Sequence, residues 1–412
     1  MLKAHGYIEN DIKVAEHLVK FLDVPIVPTK ELNDSISLKI TRKIIISLYL
    51  KKRLGMTDQD LVKLWKTYVR LTNKSLESIV HVLDVLQNKV GLTSDKIIRN
   101  GFLVHGCGEN ITKMLEYTPS IAGVPMKEIL AKSPKIAMQN AETVQETLNH
   151  ITDFGIPEDR VLRCEEILTL GSDTIHERLI EVKSIDEFSV LFSNPGILKL
   201  LHHKNKAISR LEYLKQLKVK CMSLNVLSHA SCTFEKYAKS GKDRTKGYEL
   251  LSYLSERLYL KKEIVRDILN RHPNWCFVPI ISVKTSTDYL HSRGFKDQDL
   301  KDNLYILLYP VSRIDQKLNS LIELKEKDGE NHWVAGEPLS TLSESKLLSL
   351  CLYFIEAEFH FTGNGIWEID RSDVGKQDIA STTIPEFPDS STKDYRYGPM
   401  KRKSEKVLMH NS

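Results

Sequence analysis

Apolar residues in this chain fall in short runs at helical spacing, each interrupted after about two turns. The stretch KEILAKSPKIA (127–137) shows the form: an aliphatic pair, three variable residues, then a proline. Proline lacks an N–H and clashes one turn back, so a helix stops there. In this register the first aliphatic slot falls at Leu61, Ile97, Ile129, Val161, Val190, Val226, Ile268 and Tyr305, with spacings of 36, 32, 32, 29, 36, 42 and 37 residues. The second slot is Val62, Ile98, Leu130, Leu162, Leu191, Leu227, Leu269 and Ile306, aliphatic every time. The stop is Pro134, Pro195, Pro273 and Pro310 in four units; Lys66, Phe102, Glu166 and Ser231 fill it in the others.

A second register agrees with the first. Gly55, Gly91, Gly123 and Gly155 each stand six residues before the first slot, followed by an apolar residue and then Thr or Pro. Glycine there predicts a left-handed cap on the preceding helix, and Thr or Pro predicts the start of the next. Asp58, Asp60, Asp95, Glu128, Glu158 and Asp159 follow in the first turn, where the helix dipole favours acids. The glycine register is lost in the last three units, and Gly294 stands eleven residues before its slot. A unit of this length cannot bury its apolar face alone, so neighbours must stack. The pattern therefore predicts an all-α, right-handed-type helical-repeat solenoid with a concave face, the aliphatic pair of each unit pointing inward.

Units reading glycine, apolar residue, Thr or Pro, then Ile-Leu and proline resemble the repeats of the mitochondrial transcription termination factor (mTERF) family. The resemblance spans about residues 55–325 and is best in GIPEDRVLRCEEILTL (155–170), KEILAKSPKIA and EIVRDILNRHP (263–273). It implies a superhelix whose basic concave face binds double-stranded DNA, or RNA in some members. It also implies residence in the mitochondrial matrix and a part in transcription termination, its tuning, or ribosome biogenesis. Another mitochondrial transcription factor is a further expected partner, and the chain is expected to act as a monomer.

Charge locates the expected contacts. The net charge of +5 over 412 residues is modest. Residues 195–262, however, hold fifteen Lys and Arg against five acids, whereas residues 141–190 hold four against twelve. Phosphate binding needs clustered cations. The clusters are KLLHHKNKAISR (199–210), with Lys204, Lys206 and Arg210, and KYAKSGKDRTKG (236–247), with Lys239, Lys242, Arg244 and Lys246. Cations also recur after the aliphatic pair at Lys63, Arg99, Lys132, Arg163 and Arg271, which a solenoid would align into a stripe. Arg99, Lys132 and Arg271 join the candidate set, the arginines as readers of base edges. The acidic segment suits a different reading, a solenoid that docks a protein and reaches DNA through it.

Other chemistry finds little support. The six cysteines are scattered without Cys-x-x-Cys spacing and read as reduced thiols. Cys107 in VHGCGEN lies beside His105 but has no orienting partner, so the stretch reads as a loop. No phosphate-loop, dinucleotide or metal motif is present, and neither an enzyme nor a cofactor is expected. The aromatics lack the interleaving of a single-strand stacking platform, and Trp65 and Trp275 read as core. LLSLCLYFIEAEFHF (347–361) carries Glu356 and Glu358 and reads as a core helix, so no membrane span is expected. Residues 8–22 read as an amphipathic helix, a worn first repeat within an N-terminal helical segment over residues 1–54. The first arginine is Arg42 and acids come early, unlike a transit peptide. Residues 328–345 read as a linker, followed by a C-terminal module to 369 and a disordered tail over 370–412.

Overall fold

A computed structural model describes residues 13–26, 36–240, 243, 245–328, 330–334 and 336–367. These residues form helices and 3-10 turns, with two short antiparallel hairpins, Ser120–Ile121 with Val124–Pro125 and Trp333–Val334 with Glu337–Pro338. The chain is an all-α helical-repeat solenoid. One apolar cluster runs from Ala15 to Ile366, so the units share a continuous core.

The repeat is sharpest at a backbone position, not a side chain. A short first helix or turn ends at Tyr68, Asn100, Ser133, Cys164 and Asn303. These linking residues share φ between −112° and −153° and ψ between 41° and 73°. In each unit the linking carbonyl accepts the first bond of a 3-10 turn from a buried aliphatic residue three positions on: Leu71, Leu103, Ile136, Ile167 and Ile306. A longer helix then begins eight positions after the link, at Leu76, Gly108, Ala141, Ser172 and Val311.

The prolines stop helices as expected. Met126–Lys132 ends before Pro134, which opens the next 3-10 turn, and Lys262–Leu269 ends before Pro273. Gly55, Gly91, Gly123 and Gly155 all take positive φ, between 77° and 83°. At Gly123 the positive φ follows Ala122 at 46°, the two-residue hairpin turn that matches strand twist.

Four expectations are corrected. Val62 is 67% exposed rather than inward, because Asp58–Thr67 is one turn longer than the equivalent helices and Leu64 and Trp65 take its place in the core. In the last unit the buried residue of the first helix is Leu300, six positions after Gly294, so the glycine register continues. Pro310 there precedes the long helix Val311–Asp328 and is not the stop after the aliphatic pair. Residues 328–345 are no plain linker: they contain the second hairpin and the 3-10 turn Leu339–Thr341. The helix Glu344–Glu358 after them packs on Val311–Asp328 and adds Leu347, Leu348, Cys351 and Ile355 to the shared core.

Successive units are also tied by polar side chains that satisfy carbonyls at the ends of 3-10 turns. Arg42 donates to the Thr72 and Lys74 carbonyls, the former at 2.9 Å. Lys74 in turn donates to Val104 O, at 3.2 Å, and Gly106 O. Gly106 has no side chain to pass on, and Asn110 replaces it, donating to Gln139 O at 2.5 Å and accepting from Ala141 N at 2.9 Å. Gln139 reaches Thr169 O at 2.7 Å, and Arg178 reaches Leu201 O and His202 O at 2.9 and 2.8 Å.

Candidate nucleic-acid interface

The structure divides the candidate cations into those that hold the fold and those that face outward. Arg210 belongs to the first group and is withdrawn as a phosphate contact. It is fully buried on Lys204–Gln216. Its Nη1 donates to Val226 O, Leu227 O and His229 O at 3.1, 3.2 and 2.6 Å, and its guanidinium lies 4.7 Å from the Phe234 ring centre. A cation near the end of a short helix satisfies carbonyls that helix leaves open, and Arg210 does this for Leu224–Ser228.

Lys132 and Lys204 are engaged as well. Lys132 Nζ pairs at 2.6 Å with Glu165, whose buried carboxylate also accepts from Ser133 Oγ at 2.8 Å, across a unit boundary. Lys204 pairs with Glu181, and Lys215 with Glu187 at 2.7 Å. The acidic and basic segments therefore neutralise part of each other. Arg99 and Arg271 are exposed near the ends of their first helices, and Lys239 is exposed at the end of Ser231–Ser240. Lys242 and Arg244 lie outside the described residues.

Lys206 and Lys246 come together. With Lys199 and Arg210 they act on His229, whose imidazole is held below its ordinary value by burial first and then by Lys199, Lys246, Lys206 and Arg210. The loop carrying Lys246 is fixed from both sides. Asp243 accepts from Lys220 N and Cys221 N at 2.9 and 2.6 Å, and Thr245 N and Oγ1 donate to Cys276 O at 2.8 and 3.0 Å.

The cationic surface continues along the 3-10 turns. Burial holds His202 below its ordinary value; Glu166 opposes this, and Arg178 and Lys135 add to it. Lys199 and Glu166 both act on Cys164, which places Lys135, His202 and Lys199 in one neighbourhood. The turn Pro134–Met138 that carries Lys135 packs on Gly101–His105. Beside that turn opens a cleft lined by Arg70, Lys74, His81, His105 and Cys107. The run Arg70, His105, Lys135, His202, Lys199, His229, Lys206 and Lys246 thus follows successive units, with Glu166 and, in the cleft, exposed Glu109 as acids within it. Further exposed acids lie on two long helices, Glu142, Glu146 and Asp153 on Ala141–Asp153 and Asp173 and Glu177 on Ser172–Ser184.

The sequence register looked for cations before the stop, whereas in two units the structure places one after it; Phe102, Glu166 and Tyr305 fill that place in the others. Arg70 and Lys135 both stand two positions beyond their linking residues Tyr68 and Ser133. Lys135 follows Pro134 directly, a local signal that was present in SPKIA. His202 and His229 had no such signal.

Cys107 Sγ donates to Glu109 at 2.9 Å, and the neighbouring Lys74 is directed at backbone carbonyls, so no activated nucleophile is assembled. Among the described residues no group of three His, Cys, Asp or Glu side chains is placed to hold a metal ion. No helix among them is long and apolar enough to cross a membrane.

Comparison with known proteins separates shape from sequence kinship. No protein-family model matches the chain, and no solved structure does. The chain is 40% identical to the Drosophila melanogaster protein "Transcription termination factor 5, mitochondrial", over 99% of its own length and 72% of that protein's. That degree of identity across the whole repeat array, together with the helical-repeat fold, shows that the chain belongs to the mitochondrial transcription termination factor family.

Proposed function

We propose that this chain acts in mitochondria as a double-stranded DNA-binding factor that terminates or tunes transcription. The observation that carries this reading is the run from Arg70 to Lys246, because a row of cations along stacked units can follow the charges of a duplex backbone. In that role Lys135, Lys199, Lys206 and Lys246 position the duplex through phosphates, and exposed Arg99 and Arg271 are the candidates for base edges. A bound solenoid of this kind is a roadblock to a polymerase. The kinship with a mitochondrial termination factor supports the compartment and the process.

The test is a binding titration at several salt concentrations on duplex DNA. Each neutralised phosphate adds about 0.9 to the slope of log affinity against log salt. Changing Lys135, Lys199 and Lys246 together to Ala is expected to flatten that slope by roughly 2 to 3 and to weaken all sequences alike. An unchanged slope removes these residues from the interface. The exposed acids on the two long helices support a second reading, docking of a protein partner on that side. Absence of salt-sensitive binding to DNA or RNA would put that reading first.

A further inference from the structure

Two helix caps in the irregular stretch carry a backbone strain that glycine would remove. Gly155 and Gly294 end Ala141–Asp153 and Ile280–Ser292 in one and the same way, each two residues past the helix at positive φ. The next residue donates its N–H to a carbonyl five back, Ile156 to Ile151 at 3.1 Å and Phe295 to Leu290 at 3.2 Å. A buried aliphatic residue, Val161 or Leu300, follows six positions after the glycine. Lys218 and Tyr259 occupy this place after Lys204–Gln216 and Gly247–Arg257, with φ of 57° and 52°. Val219 donates to Leu214 O and Leu260 to Ser255 O, both at 3.0 Å, and Leu224 and Val265 are the buried residues six positions on. The irregular stretch thus keeps the cap of the regular plan without its glycine.

A left-handed backbone crowds the Cβ of an L-residue against the following carbonyl, so glycine is the usual occupant of such a cap. Neither side chain compensates by packing. Tyr259 is 84% exposed and Lys218 is exposed. Neither makes a hydrogen bond, ion pair or ring contact among the described residues. Strained residues that the fold does not use are a mark of surfaces that touch a ligand.

The flanking residues indicate the charge of that ligand. Residues 215–220 hold Lys215, Lys218 and Lys220 and no acid, and residues 257–262 hold Arg257, Lys261 and Lys262 and no acid. Gly155 instead stands between Asp153 and Glu158, and Gly294 is followed by Asp297. Lys215 is paired with Glu187 at 2.7 Å, and Lys262 Nζ donates to Ser252 Oγ at 3.1 Å. An ammonium and a phenol are both donors to phosphate oxygens. His360 ends Glu344–Glu358 at φ 52° too, but it stands beside Glu356 and Glu358 and lies outside this set.

We infer that Lys218 and Tyr259 are contacts to the sugar–phosphate backbone of duplex DNA, presented from the caps of two consecutive units. This rests on the DNA reading above and extends it to the caps, where no member of the cationic run stands. Lys218 supplies a charge-assisted bond and Tyr259 a neutral one, so the two differ in their response to salt.

The experiment compares melting temperature and duplex affinity, at several salt concentrations, for the full chain and two double variants. Lys218→Gly with Tyr259→Gly relieves both caps and is expected to raise the melting temperature by about 2–4 °C. It is also expected to bind duplex DNA about tenfold more weakly. The slope of log affinity against log salt should flatten by about 0.9, because only Lys218 is charged. Lys218→Gln with Tyr259→Phe keeps the strained backbone and removes only the donor chemistry. It should show a similar loss of affinity with an unchanged melting temperature. A glycine variant that binds as the wild type does, with the same slope, overturns the inference and leaves the DNA reading standing. A glycine variant less stable than the wild type overturns it too, since the side chains would then serve the fold. No duplex binding by the wild type at any salt concentration overturns both.

Discussion

The units from Asp58 to Ser184 and the stretch from Asp186 to Ser292 solve the same stacking problem in different ways. The first region repeats one backbone plan, with a left-handed glycine, a linking residue, a 3-10 turn and a further helix, and ties units by single side chains, Lys74, Asn110 and Gln139. The second departs from that plan: short helices such as Ile197–His202 and Leu224–Ser228 alternate irregularly with longer ones such as Lys204–Gln216 and Gly247–Arg257. Two buried ionisable residues organise it: Arg210 holds the end of Leu224–Ser228, and Glu249 holds its start. Glu249 Oε1 accepts from Leu224 N, Ser223 Oγ and Asn194 Nδ2 at 3.1, 3.2 and 3.2 Å. Where register is distributed over many equal units, no single contact is decisive. Where it is lost, a few buried polar groups specify the arrangement. The irregular stretch is also where the cations around His229 converge, so these two anchors position the candidate interface.

This contrast breaks most readily at Arg210. Arg210→Ala leaves three buried carbonyls without their donor and is expected to lower stability by about 3 kcal/mol or more, measured by denaturant unfolding. A variant that stays fully stable yet loses DNA affinity would return Arg210 to the interface and remove the contrast.

Glu249 supplies a smaller effect with a definite sign. Burial pushes its carboxyl up to about 7, and the bonds from Ser223 and Leu224 only partly offset this. The folded value lies above the unfolded one, so the folded state holds the proton more tightly. Stability is therefore highest below the unfolded carboxyl range, falls as pH rises toward about 7, and levels beyond it. The fall attributable to this residue should be about 2 kcal/mol between roughly pH 5 and pH 8, and Glu249→Gln should abolish it. An identical pH profile for the variant and the wild type would show that Glu249 is no anchor.

In the regular region single changes should matter less. Gly91 has φ 81° and open space where a Cβ would sit, so Gly91→Ala tests backbone conformation alone and should cost about 1 kcal/mol. Gly171, at φ −71°, is the control, and Ala there should be nearly neutral. Smaller still is Pro134→Ala, expected within about 0.5 kcal/mol because Asn100 and Cys164 make the same link without a proline after them. A loss above 2 kcal/mol at Pro134 would mean that regular units also depend on individual residues.

How much was legible in the sequence follows the same division. The caps at Gly55, Gly91 and Gly155 and the stops at Pro134 and Pro273 were readable because each depends on the conformation of one or two residues, whereas Gly123 keeps the left-handed conformation but sits in a hairpin turn and caps no helix. The inward aliphatic pair was readable except at Val62, where an extra helical turn before the link moves the inward pair on to Leu64 and Trp65, and in the last unit, where Pro310 belongs to the following helix. The interface was readable only as a region. Arg210 carries the same side chain as a surface cation, and its burial is decided by carbonyls 16 to 19 residues away. His229 shows nothing locally, because the lysines that act on it come from two separate helices and a loop.

The linking position also bears on how this fold changes over generations. Tyr68, Asn100, Ser133, Cys164 and Asn303 occupy it with an aromatic ring, two amides, a hydroxyl and a thiol, all on nearly the same backbone angles. What descends from unit to unit is a bend in the main chain, which substitution can hardly touch. Side chains at that point are free to diverge, so two descendants can keep superimposable units long after residue-by-residue likeness has faded. Kinship in such a lineage is best sought in the interval between bends.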